Sequence, residues 1–215
     1  MTDFKEMTDA VVRGDAAACE NLARKALEAH VEPQSAIQEG FAPGMEIVGR
    51  GFEDGTLFLP DMMLAAEAMK AGIAVLEEAM TADQAAANRA GKMVVATIQG
   101  DVHEIGKNIV RILMSTAGFE VVDLGKDVKV PTIIDEAEDE MADIIAVSAL
   151  MTTTMMYMKE LIEELSDAGL RDRFKVMVGG APVTETWAKE IGADGYAKDA
   201  FAAIQVAKDL LGAQA

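Results

Sequence analysis

His30 and His103 are the only two imidazole side chains in the 215-residue chain. His103 lies in the segment Gly100–Gly106, which reads GDVHEIG and directly follows a short apolar run. Asp101 stands two residues before His103, close enough to accept a hydrogen bond from one ring nitrogen. Such a bond would fix the tautomer and leave the other nitrogen free to bind a metal ion. We therefore predict a metal ligand at His103 that is oriented by Asp101.

Two later segments follow apolar runs in the same way and carry small or hydroxylated residues. Ser148–Thr154 (SALMTTT) offers several hydroxyls, although Ser and Thr are also typical of a helix start because they cap helices well. Gly179–Pro182 (GGAP) has no bulky side chain and is consistent with a slot for a flat ligand or with a simple tight turn. Together the three segments predict a pocket with one metal ligand, hydroxyls and a smooth wall.

The elements that would position these segments follow from the hydrophobic pattern after Lys92. Residues 93–98 (MVVATI) form an almost continuous apolar run, as expected of a buried parallel strand. Further strands are predicted at 120–124, 143–147, 175–178 and 195–197, and helices at 106–117, 131–141, 153–167, 184–191 and 199–211. This alternation predicts an α/β fold with a doubly wound, five-stranded parallel sheet, Rossmann-like and of flavodoxin-type strand order. Ligands of such sheets bind at the carboxyl ends of the strands, which is where the three segments lie.

The first half of the chain has helical periodicity instead. Apolar residues recur at helical spacing over Asp15–His30, with Asp15 as the N-cap, and over Pro33–Val48, which Pro43 would kink or divide. A further helix is predicted to begin at Pro60, since proline suits the first helical turn. We therefore predict three regions: a helical bundle cap domain over residues 1–82, a linker over 83–91 and a Rossmann-like domain over 92–215.

Composition excludes several classes of function. The formal net charge of −18 disfavours nucleic acid as a partner, because such a surface repels phosphate backbones. No apolar run approaches the roughly 20 residues of a membrane helix, and the acidic N-terminus lacks the layout of a secretion signal. A single cysteine, Cys19, excludes zinc sites built on cysteine clusters. We therefore expect a cytoplasmic protein that binds neither a membrane nor nucleic acid.

Four ordered segments now carry a resemblance to a known family. They read GDVHEIGKNIV, VSALMTTTM, VGGAPVT and GADGYAKDA, in that order. They resemble the corrinoid proteins of anaerobic methyltransferase systems and the cobalamin-binding module of methionine synthase. Asp101, His103 and Gly106 match the family's Asp-x-His-x-x-Gly, while residues 51–55 (GFEDG) and 57–60 (LFLP) resemble its cap domain. The resemblance covers nearly the whole chain.

The resemblance implies a cobalamin or related corrinoid cofactor, with His103 as the lower ligand of cobalt and the nucleotide tail in a slot of the sheet domain. Asp101 would hold His103, and Thr154 stands where the family can place a second hydroxyl in that relay. These three residues are the implied catalytic group. The implied cofactor contacts in the sheet domain are Gly100, Asp101, Val102, His103, Glu104, Ile105, Gly106, Ser148, Leu150, Met151, Thr152, Thr153, Gly179, Gly180, Ala181, Tyr196 and Ala197. Phe58, Met62 and Met63 would cover the upper face of the cofactor, although methionine at helical spacing is as often core packing.

The function implied by the resemblance is that of a methyl carrier. A mutase would need a substrate barrel of about 250 residues, and one cysteine and two histidines leave no zinc site for a thiol substrate beside His103. Substrate chemistry is therefore expected on other chains, and this chain would be a methyl-carrying subunit without its own substrate site. The implied partners are a substrate-specific methyltransferase, a second methyltransferase that passes the methyl group to tetrahydrofolate or a thiol, and a reductive activation protein.

Two alternatives belong to other classes of protein. A corrinoid-binding sensor or regulator would use the same cap and sheet, commonly with a DNA-binding segment, and the residues before the first predicted helices are not basic. A phosphoacceptor receiver domain has the same alternation of strands and helices. It requires a carboxylate at the end of the third strand, where Ser148 stands.

Overall fold

A computed structural model describes residues 4–80 and 90–212 of the protein. The chain divides into two compact units, Met1–Asn88 and Arg89–Ala215, which we call the helical unit and the sheet unit. Residues 83–89 of the predicted linker lie outside the described residues, and Gly91 already belongs to the first strand. None of the helices in the two described ranges is long and apolar enough to cross a membrane.

The helical unit consists of helices in the order that the sequence predicts. Its elements are α1 (Phe4–Val12), α2 (Ala16–Glu28), α3 (Pro33–Ser35), a π-helical stretch (Ala36–Phe41), α4 (Ala42–Glu53) and α5 (Leu59–Glu77). Asp15 caps α2 as predicted, since its side chain accepts a hydrogen bond from the backbone N–H of Ala18 at 2.9 Å. α5 begins one residue before Pro60, and the Asp61 side chain accepts a hydrogen bond from the N–H of Phe58 at 2.8 Å.

The helical segment predicted over Pro33–Val48, with a kink or division expected at Pro43, is divided by the π-helical stretch before that proline. Proline has no N–H to donate to the carbonyl four residues earlier, and its ring crowds that carbonyl. The backbone before Pro43 widens accordingly, and the N–H of Ala42 donates to the carbonyl of Ile37, five residues back. The chain then continues as α4 with Pro43 in its first turn.

The sheet unit is a five-stranded parallel sheet with helices on both faces. Its strands are β1 (Gly91–Ile98), β2 (Phe119–Val128), β3 (Ile144–Ser148), β4 (Lys175–Gly179) and β5 (Gly195–Ala197), in the order β2-β1-β3-β4-β5. The helices are α6 (Ile105–Thr116), α7 (Val130–Asp139), α8 (Met156–Asp167), α9 (Glu185–Ile191) and α10 (Ala200–Leu210). The predicted doubly wound α/β fold of flavodoxin-type order is confirmed.

Alternate residues of the interior strand β1 supply the two faces of the core. Val94, Ala96 and Ile98 belong to one buried cluster, which also contains residues of α7, α8 and α9. Met93 and Val95 belong to the opposite cluster, which contains residues of α6 and α10. Because both faces of the sheet are covered, ligands have access to the sheet at the ends of its strands.

Candidate functional site

The predicted site lies where the winding of the sheet reverses. β2 lies on one side of β1 and β3 on the other, so the loops that leave β1 and β3 diverge and open a crevice between them. Asp101 and His103 lie in the loop after β1, while Leu150 and Thr154 lie in the loop after β3. The residues that the sequence predicted as a metal ligand and its hydrogen-bonding partners thus flank this crevice.

The carboxylate of Asp101 joins the two loops. Its Oδ1 accepts hydrogen bonds from the His103 ring Nδ1 at 2.7 Å and from the His103 backbone N–H at 3.0 Å. Its Oδ2 accepts from the N–H of Leu150 at 2.6 Å and the N–H of Met151 at 3.2 Å, and from the hydroxyl of Thr154 at 3.1 Å. Both oxygens of this fully buried side chain are therefore saturated with donors.

These contacts keep the Asp101 carboxyl ionised and place a hydrogen on Nδ1 of His103. Burial by itself would raise the pKa of Asp101, but the hydrogen bonds from the N–H groups of His103 and Leu150 more than offset burial. The His103 ring and the Thr154 hydroxyl lower the pKa of Asp101 further, so its carboxyl is ionised at neutral pH. An ionised carboxylate can only accept, so Nδ1 of His103 carries the hydrogen that it donates.

The other ring nitrogen of His103 is left available. About half of the His103 side chain (48%) is exposed, and among the described residues Nε2 has no hydrogen-bond partner. The backbone beneath the ring is held as well, since the buried Thr97 hydroxyl donates to the carbonyl of His103 at 3.1 Å. The structure therefore presents one imidazole nitrogen, Nε2, in a fixed orientation, the arrangement of a metal-ligating histidine.

Exposed apolar side chains lie in the same loops and helix starts as the residues of this site. Ile105, the first residue of α6, is 80% exposed, and Val102, Leu150 and Met156 are also exposed. Gly106 adds open space, because a Cβ built there would meet no atom within 4 Å. Large exposed apolar side chains beside a polar ligand are typical of a binding surface rather than of a solvated one.

The carboxyl ends of four strands form one row beside the crevice. Thr97 of β1 is in register with Ser148 of β3, Ser148 with Gly179 of β4, and Gly179 with Ala197 of β5. Three of the predicted cofactor segments thus meet at the same edge of the sheet. The hydroxyls of Thr97 and Ser148 lie 3.4 Å apart, so they also link neighbouring strands.

Gly180, the residue directly after Gly179 of this row, can only be a glycine. Its φ of +120° is unfavourable for residues with a side chain, and a Cβ there would lie 1.9 Å from the carbonyl oxygen of Ala149. Gly179 is restricted too, with a Cβ position 3.0 Å from the carbonyl oxygen of Ala197. The absence of side chains here lets the loops after β3 and β4 approach each other closely.

The remaining predicted contacts differ in accessibility. Four of them are exposed: Gly100, Thr152, Thr153 and Ala181. Four others are half-buried: Glu104, Met151, Tyr196 and Ala197. In the helical unit, Phe58 (67% exposed) and Met63 offer apolar surface, whereas Met62 (2% exposed) is buried like its helix neighbours Ala65 and Ala66. Burial of Met62 agrees with the core-packing alternative that helical spacing left open.

Sequence reasoning did not single out a buried ion pair next to the site. The Lys107 ammonium, in the first turn of α6, is buried against the Asp123 carboxylate of β2 and contacts the Asn108 side chain at 3.1 Å. Burial would raise the pKa of Asp123, but the hydrogen bonds from Lys107 and the Gly125 N–H lower it. The sequence offered one indication of this pair: Lys107 stands within the apolar pattern of a helix. Lysine is rarely buried unless its charge is paired.

Comparison with known proteins identifies the family of both units and two similar proteins. Residues 91–205 match a family described as B12 binding domain, and residues 4–77 match a second family of the same description. A corrinoid protein of Desulfitobacterium hafniense strain Y51 is 43% identical over 213 residues, 99% of each chain. Trimethylamine corrinoid protein 2 of Methanosarcina acetivorans is 47% identical over 200 residues, 93% of this chain and 92% of that protein.

A solved structure extends the likeness to three dimensions. The chain superimposes on a chain of the methanol:cobalamin methyltransferase complex of Methanosarcina barkeri with a TM-score of 0.82 at 30% identity, covering 98% of this chain and 80% of the other. The site itself fits a corrinoid, because one free imidazole nitrogen among exposed apolar side chains suits a metal held inside a large macrocycle. The chain belongs to the B12-binding family, and its cofactor is cobalamin or a related corrinoid.

Proposed function

We propose that this protein is a methyl carrier that serves two methyltransferases. One methyltransferase, specific for a methylated substrate, would load the methyl group, and a second would pass it to tetrahydrofolate or a thiol acceptor. The observation that carries the proposal is the His103–Asp101 pair, which offers an oriented Nε2 at the switch point of a B12-binding fold. The bound corrinoid supplies a cobalt atom that can accept and release a methyl group.

His103 is proposed to be the lower ligand of cobalt through Nε2. Asp101 keeps the Nδ1 hydrogen in place and thereby keeps the ring in one orientation. Thr154 extends this chain, because its hydroxyl lies within hydrogen-bond distance of both Asp101 Oδ2 (3.1 Å) and the Met151 carbonyl (2.9 Å). The hydroxyl has one hydrogen, so it can donate fully to only one of the two oxygens at a time. A switch between them would change the number of hydrogen bonds that stabilise the ionised Asp101 carboxylate.

The remaining cofactor contacts are proposed from the row at the edge of the sheet and from the exposed apolar side chains. Val102, Ile105 and Leu150 would contact the ring, because their apolar surface is accessible beside His103. The nucleotide tail would lie along the glycine-rich row, where side chains are small. Its proposed contacts are Ser148, Thr152, Thr153, Gly179, Gly180, Ala181, Tyr196 and Ala197.

The names of the relatives support a methyltransferase as a partner, and a reductive activation protein is proposed in addition. Proteins 46% identical over 208 residues include a dimethylamine corrinoid protein of Methanosarcina barkeri, and the structural match is part of a methanol:cobalamin methyltransferase complex. The carrier role, with a separate substrate-specific methyltransferase and a reductive activation protein, is therefore the function we favour. The names of these relatives favour the carrier over the sensor alternative, because they refer to methyl donors.

The test combines cofactor binding with methyl transfer. The purified protein is loaded with hydroxocobalamin, reduced anaerobically and incubated with the methyltransferase encoded beside its gene and an isotopically labelled methyl donor. We expect label to be retained by the wild-type protein and then transferred to a thiol or folate acceptor by a second methyltransferase. The absorption spectrum should change in His103→Ala, with loss of the histidine-ligated form.

Two results would contradict the proposal. A spectrum of His103→Ala identical to that of the wild type would remove His103 as the ligand. Light-dependent association of the loaded protein with DNA, without uptake of label from any donor, would favour the sensor. His30→Ala is the matched control, because His30 lies in the helical unit and should leave the spectrum unchanged.

A further inference from the structure

Asp127, near the end of β2, has a backbone conformation that few residues adopt. Its φ is +53°, in the left-handed region, which Asn and Asp tolerate better than other residues with a side chain. From this position Asp127 makes two hydrogen bonds to the loop after β1. Its Oδ1 accepts from the N–H of Gly100 at 2.7 Å, and its N–H donates to the carbonyl of Asp101 at 2.9 Å.

The pairing of β1 with β2 explains how Asp127 reaches this loop. The register shifts twice, between Val95 and Ala96 and between Ala96 and Ile98, so that Ile98 pairs with Val128. Such irregularities bend a strand and re-aim its side chains, and they are common beside functional sites. Here they bring Asp127 against the two residues that precede Val102 and His103.

A second contact from the same strand end meets the other side of His103. The Lys126 ammonium lies 3.4 Å from the Glu104 carboxylate. Both side chains are partly exposed, so this pair contributes little stability by itself. Its importance is geometric, because adjacent residues of β2 contact the chain both before and after His103.

We infer that Asp127 is a positioning residue that holds the loop of His103 for ligation of cobalt. The inference rests on the proposed function, and Asp127 acts through the backbone without contacting the reacting atoms. Gly100 and Asp101 are anchored by Asp127, Asp101 in turn orients the imidazole, and Nε2 of His103 is thereby aimed at one place. Loss of the Asp127 carboxylate would free the N–H of Gly100 and let the loop sample other conformations.

Two substitutions separate the carboxylate from the backbone conformation. Asp127→Asn keeps an acceptor oxygen and tolerates a positive φ, whereas Asp127→Gly accepts a positive φ with no acceptor. Each variant is loaded with hydroxocobalamin, and the histidine-ligated fraction is measured from the absorption spectrum. We expect Asp127→Asn to match the wild type and Asp127→Gly to lower the ratio of ligated to unligated form by about threefold to tenfold, as for loss of one hydrogen bond.

A measurement without the cofactor tests the same residue independently. In the cofactor-free protein, hydrogen exchange at the Gly100 amide should be faster in Asp127→Gly than in Asp127→Asn, while the rest of the sheet exchanges as before. Equal ligated fractions and equal Gly100 exchange in the two variants would overturn the inference. An unchanged spectrum in His103→Ala would instead refute the proposed ligand, and the exchange experiment would still decide whether Asp127 holds the loop.

Discussion

The Thr154 hydroxyl lies 3.1 Å from Oδ2 of Asp101, although the two residues are 53 positions apart in the chain. Thr154 follows β3 and Asp101 follows β1, so this contact joins the two loops that flank the crevice at the switch point of the sheet. The metal-ligating candidate His103 is bound to the opposite oxygen of the same carboxylate. One buried side chain therefore couples the loop that would hold cobalt to the loop that would contact the corrin edge.

We expect Thr154→Val to weaken this coupling while it preserves the shape of the side chain. The buried carboxylate of Asp101 would keep two N–H donors on Oδ2 but lose the hydroxyl, which costs about 1 kcal/mol of unfolding free energy. Thr154→Ser retains the hydroxyl and is the matched control. Denaturant unfolding of both cofactor-free proteins measures the difference; equal stability of the two variants would show that the hydroxyl makes no net contribution.

The Asp101–His103 pair predicts a dependence of stability on pH. The pKa of Asp101 in the folded protein is lower than in the unfolded chain, so its ionised form contributes stability above the unfolded pKa of about 3.9. That contribution is lost as the pH falls below this value, toward the lower pKa of the folded state. Unfolding free energies measured between neutral pH and pH 3 should therefore fall more steeply in wild type than in Asp101→Asn.

The same substitution also tests the role of the pair in the loaded protein. Asparagine supplies one acceptor oxygen in place of two, so donors that now point at one side of Asp101 would face an NH2 group. We expect the corrinoid to remain bound while methyl transfer slows by about 10-fold to 100-fold, typical of losing a residue that orients a metal ligand. A methyl-transfer rate and a midpoint potential equal to those of the wild type would contradict this expectation.

The fold followed from sequence because its signals are local. The apolar run before Gly100 and the runs after it specify the parallel strands, of which β2 and β5 are the less buried edges, and the helices between them have apolar residues at helical spacing. In the sheet unit the differences are confined to the ends of the elements, and the helix predicted from Thr153 begins at Met156. The hydroxyls of this segment are used in a turn, in which the Thr154 N–H donates to the Met151 carbonyl.

Other parts of the site depend on contacts that no local pattern reports. β2 was predicted to end at Leu124, yet it continues to Val128 through irregular pairing with β1. Residues 125–127 of this strand read GKD, which is typical of a loop, so hydrophobic periodicity did not predict that they pair with β1. Asp127 was missed for this reason, whereas Asp123 lies inside the predicted strand and was missed because its partner, Lys107, is on another element.

Asp123 and Lys107 should show strong non-additivity in a double-mutant cycle. Asp123→Asn leaves the buried Lys107 ammonium without a carboxylate and should cost about 3 kcal/mol of unfolding free energy. Lys107→Met is expected to cost less, because Asp123 keeps the Gly125 N–H at 2.9 Å and Arg111 at 3.5 Å. The double variant should be more stable than the sum of the single changes predicts, since neither charge is then left unpaired.

Urea unfolding of the four proteins at neutral pH measures the cycle. Simple additivity of the two changes would indicate that the ion pair contributes little. The pair also has a pH signature of known sign: the pKa of Asp123 is lowered in the folded protein, so its contribution is present at neutral pH and is lost on acidification below about pH 4. Asp123→Asn should remove that part of the acid dependence.

Two glycines near the crevice should respond to alanine in opposite ways. A Cβ at Gly106 meets no atom within 4 Å, and alanine is the better helix former, so Gly106→Ala should stabilise the cofactor-free protein by up to about 1 kcal/mol. A Cβ at Gly180 would lie 1.9 Å from the Ala149 carbonyl oxygen, so Gly180→Ala should be strongly destabilising.

The corrinoid should reverse the benefit of Gly106→Ala. Gly106 directly follows the exposed Ile105 in the first turn of α6, where the macrocycle is proposed to lie. The added methyl group would crowd the proposed contact between the macrocycle and the first turn of α6. Hydroxocobalamin should therefore bind roughly tenfold more weakly, although the fold is more stable. Thermal unfolding without cofactor and titration with hydroxocobalamin separate the two effects. Unchanged affinity in Gly106→Ala would mean that the macrocycle does not approach the first turn of α6.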